Sequence, residues 1–390
     1  MNSKFFNMKS TGLCSWIVKS CERKNIIHAT SIQQTIIPII ISRKDSLLFS
    51  RTGTGKTLSF ILPLLHIHYL NPQNCFINVI VPTKELGVQI YQTYNILGQE
   101  KRIIGIFIGK NITGHNFKKK IGTCLISTIN SLSKIYEHFD KLFVCKLKIF
   151  VLDEIDILMN FTNFGLIKKI FLGLKPSQTN MFGVTNITFF KYLKNFSYQR
   201  KIFFFDEKQK KFNLFSEIKH EYIYCLSKFK FKFLVAILKL KEKNEKTEIQ
   251  KIPTLIFLKN RKNCEKLVQA LREQKITAGI LHHEMDFFQR TVSTQLLKRG
   301  IIDILVSTDL GSRGINFSSV NLVINLDMPK KIDTYLHRTG RTGRFNRKGY
   351  CLNLIDKNEI DIIHIIEKNL GINVNKSNLD FKKIHFKKIY

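Results

Sequence analysis

The sequence predicts an α/β protein of two tandem domains, each with a mostly parallel sheet flanked by helices. Its 390 residues are more than one domain of ordinary size contains, and a hydrophobic share of 44% is enough for real cores. Short apolar runs typical of buried strands alternate with helix-like segments, and a second such pattern begins near Glu221. This alternation favours parallel strands joined by right-handed crossovers, with binding at their carboxyl ends. We expect domains at 1–205 and 221–375, a linker at 206–220 and a basic tail at 376–390.

The net charge of +34 is extreme, since 63 Lys and Arg stand against 29 Asp and Glu. A field of this sign favours a polyanionic partner, because each phosphate that is neutralised releases a counterion. Lys, Ile, Asn and Phe are all abundant, as AT-rich codons would produce. The charge by itself is therefore a modest argument for nucleic acid.

The cysteines and the apolar runs indicate an intracellular protein. The eight cysteines include no Cys-x-x-Cys pair, which argues against zinc and against a disulfide framework and fits a reducing compartment. No apolar run approaches the ~18–20 residues that span a bilayer, and residues 1–10 lack the apolar segment of a secretory signal. We expect a monomer of the nucleus, nucleolus or cytoplasm, without membrane contact. No long tails extend beyond the two domains, so we expect protein partners to supply targeting.

The first 45 residues form a predicted helical lead-in, because Leu13, Trp16 and Ile17 recur at helical spacing. Gln33 follows in this lead-in, shortly before the first strand-like run. A Gln side chain near a nucleotide can read adenine, since its amide both donates and accepts along the base edge. The alternative interpretation of Gln33 is a solvated helix residue.

A glycine-bearing turn separates the strand-like run Ser46–Phe49 from a helix-like pattern that starts at Leu58. Strand, turn and helix are the context that a phosphate-binding loop requires, although the strict motif has Gly where Ser50 stands. Glycines let consecutive N–H groups turn toward one anion, and the positive end of the helix adds to that field. Lys56 would reach the β and γ phosphates, and Thr57 would ligate Mg²⁺. A Gly- and Thr-rich surface turn is the alternative. We expect a nucleoside triphosphate to bind Ser50, Arg51, Thr52, Gly53, Thr54, Gly55, Lys56 and Thr57.

An acidic segment follows the apolar strand Phe150–Leu152. Adjacent carboxylates at the end of a strand would lie at the sheet edge, facing the phosphate loop. Asp153 would hold Mg²⁺ through water, and Glu154 would orient and deprotonate the attacking water. The alternative is a helix N-terminus, where the dipole favours acidic residues.

Further strands are predicted from apolar runs at 76–81, 103–108, 124–128, 254–258, 278–283 and 302–309. Near the end of the second domain, Arg338, Arg341 and Arg344 recur at three-residue spacing between glycines. Arginine forks on one face suit phosphate recognition, better than lysine would. A basic, solvated turn is the alternative.

Together these residues resemble the DEAD-box RNA helicases of superfamily 2, from about Leu13 to Asp356 and in the family's motif order. Ser50–Thr57 is similar to the motif A-x-T-G-T-G-K-T, and Pro82–Leu86 is similar to P-T-R-E-L. Asp153–Asp156 reads D-E-I-D where the family has D-E-A-D. His337–Arg344 matches the second-domain arginine motif without a change.

The resemblance implies two RecA-like domains that close on ATP, Mg²⁺ and single-stranded RNA. It implies that Gln33 reads the adenine base and that an aromatic ring among Phe5, Phe6 and Trp16 stacks on that base. It also implies that Arg341 and Arg344 act as arginine fingers. Asp156, Thr185 and His337 would couple the motifs, and Gly314 and Asn316 would line the nucleotide. RNA would be contacted by Pro82, Thr83, Lys84, Glu85, Gly109, Thr128, Arg290, Thr308 and Arg313.

Several positions depart from the family pattern. Ala29 and Asn25 stand for Pro and Gly in the adenine-reading segment, and the RNA motif T-P-G-R is Thr128–Ser131. The motif S-A-T is Gly183–Thr185, which removes one hydroxyl that would bond Asp156. Two second-domain positions also differ: Phe287 stands for Gln, and Asn316 for the Asp that would bond ribose. These departures touch the grip on RNA and the coupling between domains, and none removes a hydrolytic group.

The function that follows is RNA-stimulated ATP hydrolysis coupled to local unwinding or remodelling of short RNA duplexes or RNA–protein complexes. Asn160 and Phe164, with Ser227–Lys230, resemble ribosome-biogenesis members, while translation-initiation and splicing members stay open. A different class of function is an ATP-gated RNA clamp or assembly scaffold with little unwinding, which the departures at Gly183 and Ser131 favour. A DNA translocase is a third hypothesis.

Overall fold

The chain divides into two compact units, Met1–Lys210 and Lys211–Tyr390. This computed structural model describes residues 6–50, 53–72, 76–108, 124–138, 148–159, 161–184, 202–206, 218–243, 253–312, 315, 317, 320–343 and 348–377. Each unit has a parallel sheet with an apolar core on both faces, so the predicted pair of α/β domains is confirmed. Among the described residues, no helix combines the length and apolar character needed to cross a membrane.

The first unit opens with two short strands, β1 (Phe6–Asn7) and β2 (His28–Ala29), which pair antiparallel. Its main strands are β3 (Ser46–Phe49), β4 (Ile77–Val81), β5 (Gly105–Ile108), β6 (Cys124–Thr128), β7 (Ile149–Leu152), β8 (Gln178–Gly183) and β9 (Phe203–Asp206). They form one parallel sheet in the order β5-β6-β4-β7-β8-β3-β9. The carboxyl ends of β3, β4, β6, β7 and β8 therefore meet at one edge.

The helices of this unit cover the two faces of the sheet. They are α1 (Ser15–Glu22), α2 (Ser31–Ile41), α3 (Lys56–Leu70), α4 (Lys84–Gly98), α5 (Ile129–His138), α6 (Ile155–Leu158) and α7 (Phe161–Leu174). Apolar side chains of α1 to α4 pack on one face, and those of α5 to α7 pack on the other. Side-chain caps begin two of these helices: Thr30 accepts from an N–H of α2, and Thr83 from one of α4.

The second unit repeats the topology of the first. Its strands are β10 (Ile218–Tyr224), β11 (Thr254–Leu258), β12 (Ala278–Leu281), β13 (Ile304–Thr308), β14 (Leu322–Asn325), β15 (Gly349–Ile355) and β16 (Asn375–Lys376). They are parallel in the order β12-β13-β11-β14-β15-β10-β16, so β10, β12 and β14 take the places of β3, β5 and β7. The helices are α8 (Lys230–Lys243), α9 (Arg261–Glu273), α10 (Phe287–Lys298), α11 (Asp309–Ser312), α12 (Ile332–Thr339) and α13 (Ile360–Leu370).

The ends of the predicted linker and tail need correction. Phe203–Asp206 pairs with β3, β10 begins at Ile218, and Lys376 pairs with β10. The strands β9 and β16 are edge strands, and the rings of Phe203 and Phe204 are about 40% exposed. The strand β9 has only four residues and lies within residues 200–220, a stretch rich in Lys and Phe with no clear period, which is why no strand was predicted there. The residues 207–217 and 378–390 lie outside the described part of the chain.

Candidate active site

The phosphate loop lies between β3 and α3, as its glycines predict. Gly53 and Gly55 have φ values of 83° and 94°, in the left-handed region that favours glycine. A Cβ atom at Gly55 would lie 2.6 Å from Nε2 of Gln33, so a side chain has no room there. Arg51 and Thr52 fall outside the described residues.

Lys56 and Ser50 form the base of this loop. The Lys56 ammonium donates to the carbonyl oxygens of Ser50 at 2.7 Å and Gly183 at 3.1 Å. The Ser50 and Thr54 hydroxyls lie 3.0 Å apart, and Ser50 is buried. Thr57 is partly exposed in the first turn of α3. The ammonium is therefore held close to the loop, and a bound phosphate needs both this positive charge and the backbone amides of the loop.

Gln33 connects the lead-in to the phosphate loop. Its side chain is only 2% exposed, which excludes the alternative of a solvated helix residue. Its Oε1 accepts from the Thr30 amide at 2.9 Å, and its Nε2 donates to the Gly55 carbonyl at 3.2 Å. The amide that was predicted to read adenine thus also supports the loop.

The predicted stacking role of Trp16 is wrong. Trp16 is 7% exposed and packs against Tyr69, with ring centroids 5.4 Å apart. Tyr69 lies near the end of α3 and Lys56 at its start, which at 1.5 Å per residue is roughly 20 Å along the axis. Helical spacing marks Trp16 as a core residue of α1. Phe5 and the Phe6 side chain are outside the described part of the structure.

The acidic segment follows β7 as predicted. Asp153 is 4% exposed, and its Oδ1 accepts from the Glu154 amide at 2.9 Å. Glu154 has a φ of 51°, unusual for a residue with a side chain, and neither acid caps the short helix α6. The acids do stand at a helix N-terminus, as the alternative expected, with Glu154 at the N-cap position and Asp156 in the first turn, but Glu154 makes no capping hydrogen bond.

The electrostatics of this segment fit a bound cation. Burial, and after it the neighbouring Glu154 carboxylate, raise the pKa of Asp153 to about 7. Among the described residues, the buried Glu154 Oε2 has no hydrogen-bond partner. Carboxylate and hydroxyl oxygens are the ligands that Mg²⁺ prefers, so Asp153 and Thr57 fit this ion.

Backbone atoms link Asp156 to the end of β8. The Val184 amide donates to Asp156 Oδ2 at 3.2 Å. Thr185, which the resemblance assigns to the same coupling with Asp156, lies outside the described residues. A backbone donor leaves no mark in a sequence, which is why Val184 was missed.

The predicted RNA residues of the first unit share the same edge of the sheet. Val81 of β4 pairs with Thr128, the last residue of β6, so Thr128 and Thr83, which follows β4, lie at the ends of neighbouring strands. Thr128 Oγ1 lies 3.0 Å from the Ser131 hydroxyl. Pro82, Thr83 and Lys84 are partly exposed, whereas Glu85 is 6% exposed, which removes its carboxylate from the surface. Gly109 is outside the described residues.

In the second unit, Arg338 is a structural residue and the phosphate prediction for it is wrong. It is 2% exposed, and its guanidinium makes a two-point bond to the Asp309 carboxylate, at 2.9 Å for Nη2. Nη1 donates to Asn325 Oδ1 at 3.0 Å, and the group lies 5.0 Å from the centre of the Phe257 ring. Three-residue spacing could not reveal which arginine points into the core.

Arg341 is also buried, at 3% exposure. Its Nη1 donates to the Ile315 carbonyl at 2.6 Å and its Nε to the His337 carbonyl at 3.1 Å. The guanidinium lies 5.8 Å from the centre of the Phe317 ring. These contacts exclude the alternative of a solvated turn for Arg341. Arg344, Arg313, Gly314 and Asn316 are outside the described residues.

A basic cavity of about 1060 Å³ opens at the carboxyl edge of the second sheet. Thr308 and Asp309 line it, together with four basic residues that belong to none of the motifs above: Lys259, Arg261, Lys262 and Lys266. Arg261 is paired with Glu265 and Glu284. The signal that could have found them is the basic run directly after β11. Arg290 lies one turn beyond Phe287, which is 36% exposed, on α10.

A phosphate loop after β3, a lysine beneath it and an acidic pair after β7, with only β8 between the two strands, define a phosphate-loop nucleotide hydrolase. Comparison with known families agrees: residues 30–189 match the DEAD/DEAH box helicase model and residues 229–346 match the helicase conserved C-terminal domain.

Relatives that this chain matches over most of their length point to the same class. The chain is 30% identical to a probable ATP-dependent RNA helicase, ddx49 of Dictyostelium discoideum, over 94% of this chain and 71% of that protein. It is 29% identical to the ATP-dependent RNA helicase DBP8 of Saccharomyces cerevisiae, over 97% and 89%. In fold it is similar to S. cerevisiae Dbp5 bound to RNA and ADP BeF3, with a TM-score of 0.83, 23% identity and 96% of each chain covered.

The chain therefore belongs to the DEAD-box RNA helicases, with two tandem RecA-like domains. It is an ATP hydrolase that uses ATP with Mg²⁺.

Proposed function

We propose that this protein couples RNA-stimulated ATP hydrolysis to the local unwinding or remodelling of short RNA duplexes or RNA–protein complexes. The observation that carries the proposal is the convergence at one sheet edge of Gln33, Lys56 and Glu154 with the threonines Thr83 and Thr128. Because the nucleotide and RNA residues lie at the ends of strands of one sheet, a change at one bound ligand can affect the binding of the other.

Hydrolysis is assigned to residues of the first unit. The loop amides and Lys56 bind the phosphates, and Glu154 orients the attacking water and takes its proton. Thr57 and Asp153 would hold Mg²⁺, which when bound neutralises charge on the phosphates. Burial of Asp153 favours this use, because a carboxylate that is costly to ionise alone is stabilised by a cation.

The second unit supplies arginines and RNA contacts in this proposal. Arg341 and Arg344 act as fingers on the transferred phosphate, so hydrolysis requires both units. Thr308, Arg290 and the lysines of the basic cavity contact the RNA backbone. Phosphate contacts position a strand without reading its bases, so little sequence specificity is expected.

Two assays on the full chain test the proposal. We expect single-stranded RNA to stimulate ATP hydrolysis, and ATP to drive displacement of a short RNA strand from its duplex. RNA-stimulated hydrolysis without displacement would replace unwinding by the clamp function. Equal stimulation by single-stranded DNA and RNA would favour a DNA translocase.

The pathway proposed is ribosome biogenesis, in the nucleolus or cytoplasm, with protein partners that direct the enzyme to its RNA. The support is the likeness of Phe164 and Ser227–Lys230 to members of the family that act there. Sequencing RNA crosslinked to the native protein tests it: precursor ribosomal RNA is the expected product, and enrichment of messenger or spliceosomal RNA would overturn it.

A further inference from the structure

Gly183 stands at the joint between the phosphate loop and the acidic segment. It is the last residue of β8 and pairs with Phe49 of β3. Its carbonyl oxygen accepts from the Ser50 amide at 3.1 Å and from the Lys56 ammonium at 3.1 Å. The next amide, of Val184, donates to Asp156. Two consecutive residues thus hold both halves of the hydrolytic site through backbone atoms.

No side chain fits at this position. A Cβ atom on Gly183 would lie 2.9 Å from Cε1 of Phe49 and 3.0 Å from Cγ2 of Ile155. Both neighbours are buried, at 1% and 0% exposure, and the Phe49 ring also packs edge-on against Phe204. In a close-packed core, relief of these contacts requires strained side-chain rotamers or a shift of the neighbour's backbone. For Ile155 that backbone belongs to the acidic segment itself.

At this joint, one residue is larger than the family pattern has and the other is smaller. Position 155 carries Ile where the D-E-A-D pattern has Ala, and position 183 carries Gly where the S-A-T pattern has Ser. The branched Ile155 side chain occupies the space next to the Gly183 Cα, where a serine side chain would begin. The larger residue on one side is matched by the smaller residue on the other.

We propose that Ile155 and Gly183 are a size-matched pair of positioning residues. Their packing sets the separation of Lys56 and Asp156, and the backbone of Gly183–Val184 replaces a side-chain hydroxyl as the link between them. The consequence runs against the family pattern: restoring serine at 183 impairs the enzyme, and removing the bulk of Ile155 relieves that impairment. The activity part rests on the proposed function, whereas the packing part does not.

A double-mutant cycle on the full chain tests this, with Gly183→Ser, Ile155→Ala and the combined variant. We expect Gly183→Ser alone to lower the Tm by several degrees and kcat for ATP by about tenfold or more, measured well below the lowest Tm. The combined variant should have a higher Tm and kcat than Gly183→Ser. If Gly183→Ser does not fold, folding of the combined variant supports the pair, and failure of both overturns it.

Two matched controls separate this pair from general damage. Gly165→Ser adds the same side chain in α7, where a Cβ atom would have nothing within 4 Å, and should leave the Tm and kcat unchanged. Ile157→Ala removes the same bulk two residues away and should not rescue Gly183→Ser. Additive effects in the main cycle, or an unchanged Tm and kcat for Gly183→Ser, would overturn the proposal. The Tm values test the packing of Ile155 against Gly183 even if no ATP hydrolysis is observed.

Discussion

The carboxyl edges of the two sheets have one topology and opposite electrostatics. In the first unit, Asp153 and Glu154 stand together, and burial disfavours the charged form of Asp153. In the second unit, Asp309 meets the guanidinium of Arg338 and is satisfied within the protein. The loop after β10, from Cys225 to Phe229, has no glycine and cannot form a phosphate cradle. Charged groups satisfied internally hold the second unit together, while those left for a ligand make the first unit a binding site.

Removing Arg341 sharpens this comparison most, because its contacts allow either a structural or a catalytic role. We expect Arg341→Ala to lower RNA-stimulated kcat on the order of 10³-fold, as loss of an arginine finger does, with little change in ATP affinity. Turnover is measured with saturating RNA, and affinity by titration of a fluorescent ATP analogue. A lower Tm with unchanged turnover would make Arg341 structural, like Arg338.

Removing Arg338 tests the claim that the charges at the second unit's sheet edge are paired within the protein. Arg338→Ala leaves Asp309 and Asn325 without their buried partner, so we expect about 3 kcal/mol less free energy of unfolding of the second unit. Urea unfolding measures it, with the exposed Arg299→Ala as the control expected to change little. A loss below about 0.5 kcal/mol would contradict the structural role.

The pH dependence of stability gives the smallest effect. Burial lowers the pKa of His220 from 6.5 to about 4, and its ring bonds the Tyr335 hydroxyl at 2.9 Å. Between those values the unfolded chain binds a proton that the folded chain excludes, so this stability is present above pH 6.5 and is lost as the pH falls. At pH 5 the cost is about 2 kcal/mol. His220→Gln should therefore lose less stability than the parent between pH 7 and pH 5; parallel curves would contradict this.

Much of the site could be predicted because its motifs are local in sequence. The phosphate-loop glycines and Lys56 follow one apolar strand, the acidic pair follows another, and a parallel sheet brings the carboxyl ends of its strands to one edge. What could not be predicted depends on side-chain direction or on backbone donors. Trp16 and Arg338 turn inward although their residue types suggested ligand contacts, and the Val184 amide carries no sequence signal. The strand β9 was missed because it is a short edge strand within a Lys- and Phe-rich stretch that has no clear period.

The most direct test of the account is hydrolysis by Glu154→Gln, beside Lys56→Ala. Glu154→Gln keeps the shape of the site and removes the base, so ATP should bind with near-parental affinity while RNA-stimulated turnover disappears. Lys56→Ala should instead weaken ATP binding itself, and the exposed Glu100→Gln should match the parent. ATP hydrolysis by Glu154→Gln near the parental rate would contradict the assignment of the first unit's sheet edge as the hydrolytic site.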